Sequence, residues 1–388
     1  MPELLLIFAI LIAVFVGFNI GGSTTAPAFG PAVGASLVPK VVAGGLMAVF
    51  FGLGAATIGR RVVDTLGQQL LNDSSLFTLE SSIVILGLIG LVLFAGNRTG
   101  VPASTSMTTV GAIAGLGVAS GELQWATMRE IVFWWTVAPI AGFAVSVAVG
   151  YFYYQRIDDW ISESSSNESL FAVDHSGTIP SMTVTSSQRD ELLAGGVVVV
   201  VGCLMAFSSG TSNIANIVAP LIGGGVLDMP VGIVLGSAAV ALGAVTIARR
   251  TLETLGNDIV ELPLPAALVA STVSASIIVT LSLLGIPASF VIVATVSIAG
   301  LGWSRTLRGD HDDDSGGRIR APVGDGGTDP AEARGAIASK DTSDPEPEPE
   351  LEFEFDPFES ARVLTLQHLI PVVATVGAYA VFSVAPVY

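Results

Sequence analysis

The chain has 388 residues, of which 51% are apolar and only 13% are charged. A soluble domain carries about 25% charged residues, so this composition excludes an ordinary cytosolic enzyme. The net charge of −17 disfavours a nucleic-acid partner, because phosphate backbones bind basic surfaces. The composition is instead that of a multi-pass protein whose principal partner is the lipid bilayer of the cell membrane.

Apolar segments follow one another along the whole chain, six in each half. They cover residues 4–18, 24–38, 41–59, 82–96, 101–119, 131–155, 192–207, 214–227, 229–248, 264–284, 286–303 and 366–386. Several are shorter than the ~20 residues that a helix needs to cross the hydrocarbon core. The first two segments of each half are therefore predicted to be broken or re-entrant helices. We expect an all-α integral membrane protein with about 10–12 membrane segments.

The two halves carry the same motifs in the same order and at nearly constant spacing. GGSTTAPAFGPAVG, from Gly21 to Gly34, pairs with GTSNIANIVAPLIG, from Gly210 to Gly223. Three further pairs are 59–67 with 248–256, 100–104 with 285–289, and 115–117 with 300–302. One long period with two copies indicates an internal duplication rather than a solenoid. If one segment of each half is re-entrant, an odd number crosses, and the repeats are inverted in the membrane.

Two acidic segments interrupt this apolar sequence. The predicted order is a first membrane repeat at 1–155, an acidic linker at 156–190, a second membrane repeat at 191–303, an acidic disordered linker at 304–364, and a helix at 365–388 that completes the second repeat. The second linker contains DPEPEPELEFEFD, a low-complexity composition that cannot bury enough apolar surface to fold. Lysine occurs only at Lys40 and Lys340, and acidic, lysine-poor loops suit a very salty, halophile-like cytoplasm.

The predicted breaks place hydroxyl and amide side chains at membrane depth, where polar backbone persists only around a buried site or a watery cavity. At the N-terminus of a half-helix, free N–H groups and the helix dipole attract an anion. The duplicated break therefore predicts a site for a tetrahedral oxyanion between the two halves. Its predicted donors are Ser23, Thr24, Thr25, Ser212 and Asn213, and the residues predicted to coordinate a cation or stabilise the hinge are Asn19 and Asn216. The alternative is that these side chains only cap helices or bond the preceding turn.

A glycine-proline motif also occurs once in each half. In GVPASTSM, Pro102 precedes the hydroxyls of Ser104, Thr105 and Ser106. Proline suits the first turn of a helix, so these hydroxyls are predicted to lie near another anion-binding N-terminus. The second copy, GIPASF, keeps only Ser289, which predicts an asymmetric site. The alternative is a proline-initiated helix that only packs.

Each half carries an arginine pair with an acid four residues after its first member: Arg60 with Asp64, and Arg249 with Glu253. This spacing puts both charges on one helix face. At the end of an apolar segment it predicts an interface anchor with an ion pair, and the alternative is a gate or an electropositive mouth for anions.

Enzyme chemistry is not predicted. The sequence has no HExxH, Walker A or GxSxG pattern, so no catalytic residue and no metal centre is expected. The adjacent Trp134 and Trp135 are interpreted as interface or packing residues.

Taken together, these motifs resemble the inorganic phosphate transporter (PiT) family of permeases. Its members carry two copies of a GANDxANAxG-like signature in inverted halves, with a G-[LI]-P-V-S-T-T-H segment and an R-[RV]-x-E-T-x-G-like segment. The resemblance covers about residues 1–155, 190–305 and 366–388, everything but the acidic linkers. It implies secondary transport of a small oxyanion, without a cofactor, driven by Na⁺ or H⁺, with Na⁺ preferred.

The chain departs from the family signature at its charged positions. The two family aspartates fall at Thr24 and Asn213, and the family histidine falls at Met107. Phosphate keeps one or two protons at neutral pH and benefits from a carboxylate acceptor, whereas sulfate carries none and suits a site of donors. The segment from Asn19 to Ala26 also resembles the sulfate-permease branch of the family, which reads NIG-x-S-x-TA there. The resemblance makes phosphate the default substrate and sulfate the alternative.

Two other function classes stay open. An anion channel would share the duplicated motifs but would need no coupling ion, and a membrane scaffold or sensor would act through the acidic linker. The sequence also leaves open the driving ion, the orientation in the membrane and whether the chain forms a homo-oligomer.

Overall fold

A computed structural model describes residues 2–99, 104–164, 171–174, 181–184, 189–246, 263–308, 357–385 and 387–388. The α-helices of the first half are α1 (Pro2–Gly34), α2 (Lys40–Gly54), α3 (Arg60–Asp64), α4 (Leu79–Thr99), α5 (Thr105–Ser120) and α6 (Trp125–Ser164). Those of the second half are α7 (Arg189–Gly223), α8 (Met229–Thr246), α9 (Leu264–Leu283), α10 (Phe290–Arg308) and α11 (Pro357–Val384).

Shorter elements join these helices. The π-helical turns Ala55–Gly59 and Thr65–Gln69 flank α3, and a 3₁₀ turn covers Ser74–Leu76. Strands β1 (Phe171–Asp174) and β2 (Ser181–Val184) form an antiparallel hairpin between α6 and α7.

Eight helical segments of the described residues are long and apolar enough to cross a membrane. They are Glu3–Gly34, Lys40–Gln69, Leu79–Gly96, Trp125–Ile161, Leu192–Gly223, Met229–Thr246, Leu264–Leu283 and Phe290–Arg308. Large apolar side chains such as Leu4, Leu91 and Val234 are exposed on these helices, as expected of residues that face lipid. The prediction of an all-α integral membrane protein is confirmed.

The breaks predicted within Gly21–Gly34 and Gly210–Gly223 are wrong, because α1 and α7 continue through them. The Thr24 hydroxyl donates to the carbonyl of Ile20, one turn earlier, at 2.7 Å, so this side chain bonds its own helix. Pro27 lies inside α1 without ending it. The two apolar segments predicted at the start of each half are therefore parts of one long helix.

Described helix ends lie instead on either side of the two glycine-proline motifs. Helix α4 ends at Thr99 and α5 begins at Thr105, while α9 ends at Leu283 and α10 begins at Phe290. Helix α5 has 16 residues. At ~1.5 Å per residue it spans about 24 Å, less than the ~30 Å hydrocarbon core. A helix too short to span the hydrocarbon core thus follows the first glycine-proline motif, whereas α10, with 19 residues, is long enough to cross.

Close glycine contacts relate the two halves by approximate two-fold symmetry. A Cβ added at Gly21 would lie 2.1 Å from the carbonyl oxygen of Val240 in α8, and one at Gly210 would lie 2.0 Å from that of Phe51 in α2. In the repeat, Gly21 matches Gly210 and Phe51 matches Val240. The same contact therefore occurs twice, once with the glycine in the first half and once with the glycine in the second half. The same exchange relates Gly54 against Phe207 to Gly243 against Phe18. Reciprocal contacts of this kind define an isologous interface. Inversion of the repeats in a bilayer stays a prediction.

The last helix of each half packs on the helix that follows the glycine-proline motif of the other half. A Cβ at Gly115 of α5 would lie 2.7 Å from the carbonyl oxygen of Thr375 in α11, and one at Gly300 of α10 would lie 2.6 Å from that of Phe143 in α6. Gly115 and Gly300 are matched positions of the repeat. That α11 completes the second half stays a prediction.

Several helices extend past the predicted linker boundaries. Helix α6 continues to Ser164, beyond the boundary at 155, and α10 continues to Arg308. Helix α11 begins at Pro357, inside the segment predicted as a disordered linker. Most of that linker, residues 309–356, lies outside the described residues, so its disorder stays a prediction.

Candidate functional site

Helix α7 presents a continuous polar face to the protein interior. Residues four apart on a helix share a face, and this face combines two such series, all of them buried: Ser208, Ser209, Ser212, Asn213 and Asn216. Polar groups at membrane depth cost several kcal/mol each unless a partner or a ligand satisfies them. The face is therefore a candidate binding surface whose partners define the site.

The partners of this face are the beginnings of α5 and α10. The Ser212 hydroxyl donates to the carbonyl of Ala288, just before α10, at 3.0 Å, and its oxygen lies 3.3 Å from the Ser106 hydroxyl of α5. Asn216 donates from Nδ2 to the same Ser106 hydroxyl at 3.3 Å. Because the single Ser212 proton goes to Ala288, Ser106 donates to Ser212. A chain of donors therefore runs from α7 through α5 to α10.

Both helices that follow the glycine-proline motifs, α5 and α10, start at this junction with a buried serine. Ser104 precedes α5 and accepts a hydrogen bond from the Met107 N–H at 3.3 Å. Ser289 precedes α10 and accepts from the Ile292 N–H at 3.4 Å. Thr105, the first residue of α5, is half-buried. Two helix N-termini, each the positive end of a helix dipole, thus converge on one polar face, which is an arrangement suited to an anion.

The amide side chains of α7 add acceptor oxygens. Asn216 donates to Asn213 Oδ1 at 3.1 Å, and Asn213 donates from Nδ2 to the Ser209 hydroxyl at 3.1 Å. Asn216 is fully buried, and its Oδ1 atom has no hydrogen-bond partner among the described residues. A buried, unpaired amide oxygen fits a hard cation or a bound water. The structure therefore allows a cation ligand beside the anion-binding surface.

No charged side chain takes part in this junction within the described residues. Every buried polar residue there is a serine, a threonine or an asparagine. No cluster of histidine, cysteine or carboxylate side chains that could hold a metal ion occurs in the same part of the chain. The site can therefore offer neutral donors, helix dipoles and neutral oxygens.

The polar side chains singled out in α1, namely the predicted donors Ser23, Thr24 and Thr25 and the predicted cation or hinge residue Asn19, donate to carbonyls of their own helix. Ser23 donates to Ile20 O at 3.1 Å, Thr25 to Gly21 O at 2.6 Å, and Asn19 Nδ2 to Phe15 O at 2.8 Å. In the described part of the chain, no hydrogen bond joins Ser23, Thr24 or Thr25 to α5, α7 or α10. The preceding-turn alternative thus describes these hydroxyls, and their contact with an anion stays a prediction.

For the first half, the sequence predicted an ion pair between Arg60 and Asp64. Arg60 is exposed, and within the described residues no ion pair joins it to Asp64. The neighbouring Arg61 instead donates to the carbonyl of Leu283, at the end of α9 in the other half. Arg249 and Glu253 lie outside the described residues, so the anchor and gate hypotheses stay predictions for them.

A small pocket, large enough for about one water molecule, opens beside the junction. It is lined by Met107, Trp134, Trp135, Ala138, Pro139, Ala288, Ser289, Ile292 and Val293. Trp135 also donates from Nε1 to the carbonyl of Pro287 at 2.8 Å. The interpretation of Trp135 as a packing residue missed this bond. The signal in the sequence was an indole N–H in an apolar segment, which needs an acceptor.

Comparison with known proteins identifies the family to which this chain belongs. The model of the phosphate transporter family matches residues 20–321. The chain belongs to the phosphate transporter family. Sulfate permease CysP of Bacillus subtilis is 34% identical over 76% of this chain and 77% of its own length. A putative phosphate permease of Helicobacter pylori is 24% identical over 78% of this chain and 69% of its own length.

A solved structure described as the sodium-dependent phosphate transporter shares the fold of this chain. The two superpose with a TM-score of 0.66 at 17% identity, covering 98% of this chain and 99% of the other. Membership of the phosphate transporter family confirms the resemblance inferred from the motifs. It also identifies a multi-pass membrane transporter rather than an enzyme, since the matched relatives are permeases and transporters.

Proposed function

We propose that this member of the phosphate transporter family is a secondary permease for a tetrahedral inorganic oxyanion, and that it prefers sulfate to phosphate. One observation carries the proposal: the junction of α5, α7 and α10 is a buried cluster of neutral hydroxyl and amide groups, with no buried charge among the described residues. The hydroxyls of Ser106 and Ser212 can rotate from their present acceptors to an anion. The N-termini behind Ser104 and Ser289 supply the positive electrostatic field.

Sulfate is preferred because phosphate carries protons at neutral pH and sulfate does not. Phosphate keeps one or two protons at neutral pH, and each needs an acceptor inside a buried site, whereas sulfate presents acceptors only. Asn213, which occupies a family aspartate position, is a neutral amide whose Nδ2 atom is a donor. The similarity to a sulfate permease supports the same choice. This preference reverses the phosphate default implied by the resemblance to the family.

Phosphate remains the second candidate. The unpaired Oδ1 atom of Asn216 could accept a phosphate proton. Several relatives are described as putative phosphate permeases, including that of Helicobacter pylori. Sulfate and phosphate are similar in size and shape, so only competition between them separates the candidates.

A coupling cation is part of the proposal because a doubly charged anion in a neutral, buried site is costly. Desolvation of an unpaired ion costs several kcal/mol even after relaxation, and a cation bound nearby offsets part of that cost. Na⁺ is the preferred ion, since Asn213 and Asn216 offer neutral oxygens and the buried polar residues described include no titratable side chain. The same site in a channel would pass anions without accumulating them.

The test is uptake of labelled sulfate into proteoliposomes under an inward Na⁺ gradient. We expect saturable accumulation, inhibition by excess unlabelled sulfate, and little inhibition by equal phosphate. Ser212→Ala should lower the uptake efficiency about tenfold or more, because a donor at a buried anion is worth about 1.5–3 kcal/mol. Ser276→Ala is the matched control, since the exposed hydroxyl of Ser276 bonds only Thr272 O in its own helix.

Phosphate that competes better than sulfate would overturn the substrate preference. If the sulfate concentration inside the proteoliposomes never exceeds its equilibrium value under a Na⁺ gradient, the protein acts as a channel and not as a secondary permease. If the Ser212→Ala and Ser276→Ala variants take up sulfate equally well, α7 does not contribute to the anion site.

A further inference from the structure

The last residue of α9 and the connection that leads from it to α10, residues 283–289, accept hydrogen bonds from three other helices. The pairs are Arg61 of α3 with Leu283 O, Trp135 Nε1 of α6 with Pro287 O at 2.8 Å, and Ser212 Oγ of α7 with Ala288 O at 3.0 Å. Two of these three donors come from the first half of the chain. The start of α10, which belongs to the second half, is therefore positioned largely by the first half.

The bond from Trp135 goes to the carbonyl of Pro287, within the connection between α9 and α10. Pro287 has no N–H and a fixed φ, so its carbonyl is the hydrogen-bonding group through which its peptide can be oriented. The next carbonyl, that of Ala288, accepts from Ser212 within the candidate site, and Ser289 then caps α10. A rotation of the Pro287 peptide would move both groups together.

The other end of the connection is also fitted closely to the first half. Gly285 has a φ of 77°, in the left-handed region that favours glycine, and a Cβ there would lie 2.7 Å from the Thr65 hydroxyl. With this end fixed, the remaining freedom of the connection lies at Ile286–Ser289. The indole N–H of Trp135 restrains that freedom directly.

We propose that Trp135 is a positioning residue for the transported anion: its bond to the Pro287 carbonyl holds Ala288 and Ser289 in the geometry that completes the site. This inference rests on the proposed oxyanion permease. Trp135 also lines the small pocket beside Ser289 and Met107, so its ring lies next to the site. It acts through the connection, without donating to the anion.

The test compares Trp135→Phe with Trp134→Phe in the full chain. Trp135→Phe keeps an aromatic ring but loses the N–H, while Trp134 lines the same pocket from the adjacent position. In proteoliposomes, Trp135→Phe should raise the KM for sulfate about three- to tenfold with Vmax little changed, as the loss of one buried hydrogen bond implies. Trp134→Phe should keep the KM within about twofold of the wild-type value.

A purely structural role would lower the amount of folded protein and hence Vmax, leaving the KM unchanged, and that result would overturn the inference. Amide hydrogen exchange of residues 285–289 other than Pro287 gives a second measurement that needs no transported anion. Exchange there should accelerate in Trp135→Phe and not in Trp134→Phe. Unchanged exchange refutes the positioning role even if the permease itself is confirmed. Wild-type protein that takes up neither sulfate nor phosphate refutes the proposed function separately.

Discussion

Replacement of Gly210 by alanine is the sharpest test of how the two halves pack. The new Cβ would lie 2.0 Å from the carbonyl oxygen of Phe51, 2.8 Å from its carbonyl carbon and 2.9 Å from its Cα. All three are backbone atoms, so no side-chain rotation relieves the overlap. Helices α2 and α7 would have to separate by roughly an ångström or more to restore ordinary contact. Overpacking usually costs about 1–3 kcal/mol, and we expect the upper end here.

The repeat supplies a second variant with the same expected cost. Gly21→Ala would place a Cβ 2.1 Å from the carbonyl oxygen of Val240, at the two-fold-related contact. The matched controls are Gly196→Ala in α7 and Gly30→Ala in α1, where a Cβ would meet nothing within 4 Å. In a helix, alanine is more favourable than glycine by about 0.5–1 kcal/mol, so both controls should be neutral or stabilising.

Unfolding of detergent-solubilised protein by urea, followed by tryptophan fluorescence, measures these differences. The Gly210→Ala and Gly21→Ala variants should each lose about 3 kcal/mol of unfolding free energy, and their values should agree within about 1 kcal/mol. If Gly210→Ala has the same unfolding free energy as Gly196→Ala, then α2 and α7 do not pack as closely as described. If only one of the two interface variants is destabilised, the two-fold exchange of contacts is wrong.

Three further predictions concern transport. Asn213→Asp restores a family carboxylate, so phosphate should inhibit sulfate uptake about tenfold more effectively than in the wild-type protein, as measured by competition. Arg61→Gln removes the charged donor to Leu283 O and should raise the sulfate KM about threefold or more, whereas Arg60→Gln should leave it within about twofold. Sulfate uptake at a fixed Na⁺ gradient should vary less than about twofold between about pH 5.5 and about pH 8, because the buried polar residues described do not titrate; a steep dependence would favour H⁺ coupling.

The features predicted correctly from the sequence are those that depend on composition and on the order of motifs along the chain. Apolar segments predicted the membrane helices, and the spacing of matched motifs predicted the duplication that the glycine contacts display. The glycine-proline motifs also led correctly to Ser104, Ser106 and Ser289 at the starts of α5 and α10. These features are local, or repeat along one chain, so they can be found without knowing which helices meet.

The sequence could not decide what the glycines of α1 and α7 are for. A glycine such as Gly21 can end a helix or admit a close neighbour, and the local sequence is the same in both cases. The choice depends on Val240, which lies in the other half of the chain. Trp135 was missed for the same reason, because its acceptor, Pro287, is distant in sequence and identified only by the fold.

The matched helices α1 and α7 share a position in the repeat but use their polar residues differently. Thr24 bonds a carbonyl of its own helix, whereas the matched Asn213 carries a longer side chain that bonds another side chain, Ser209. Asn216 reaches Ser106 of α5, while its match in α1 is Pro27, which has no polar side chain. The duplication therefore supplies a symmetric scaffold, and the second copy supplies most of the donors. An anion held between α5 of one half and α7 and α10 of the other would be bound only while the halves stay in register, so their relative movement would by itself change its affinity.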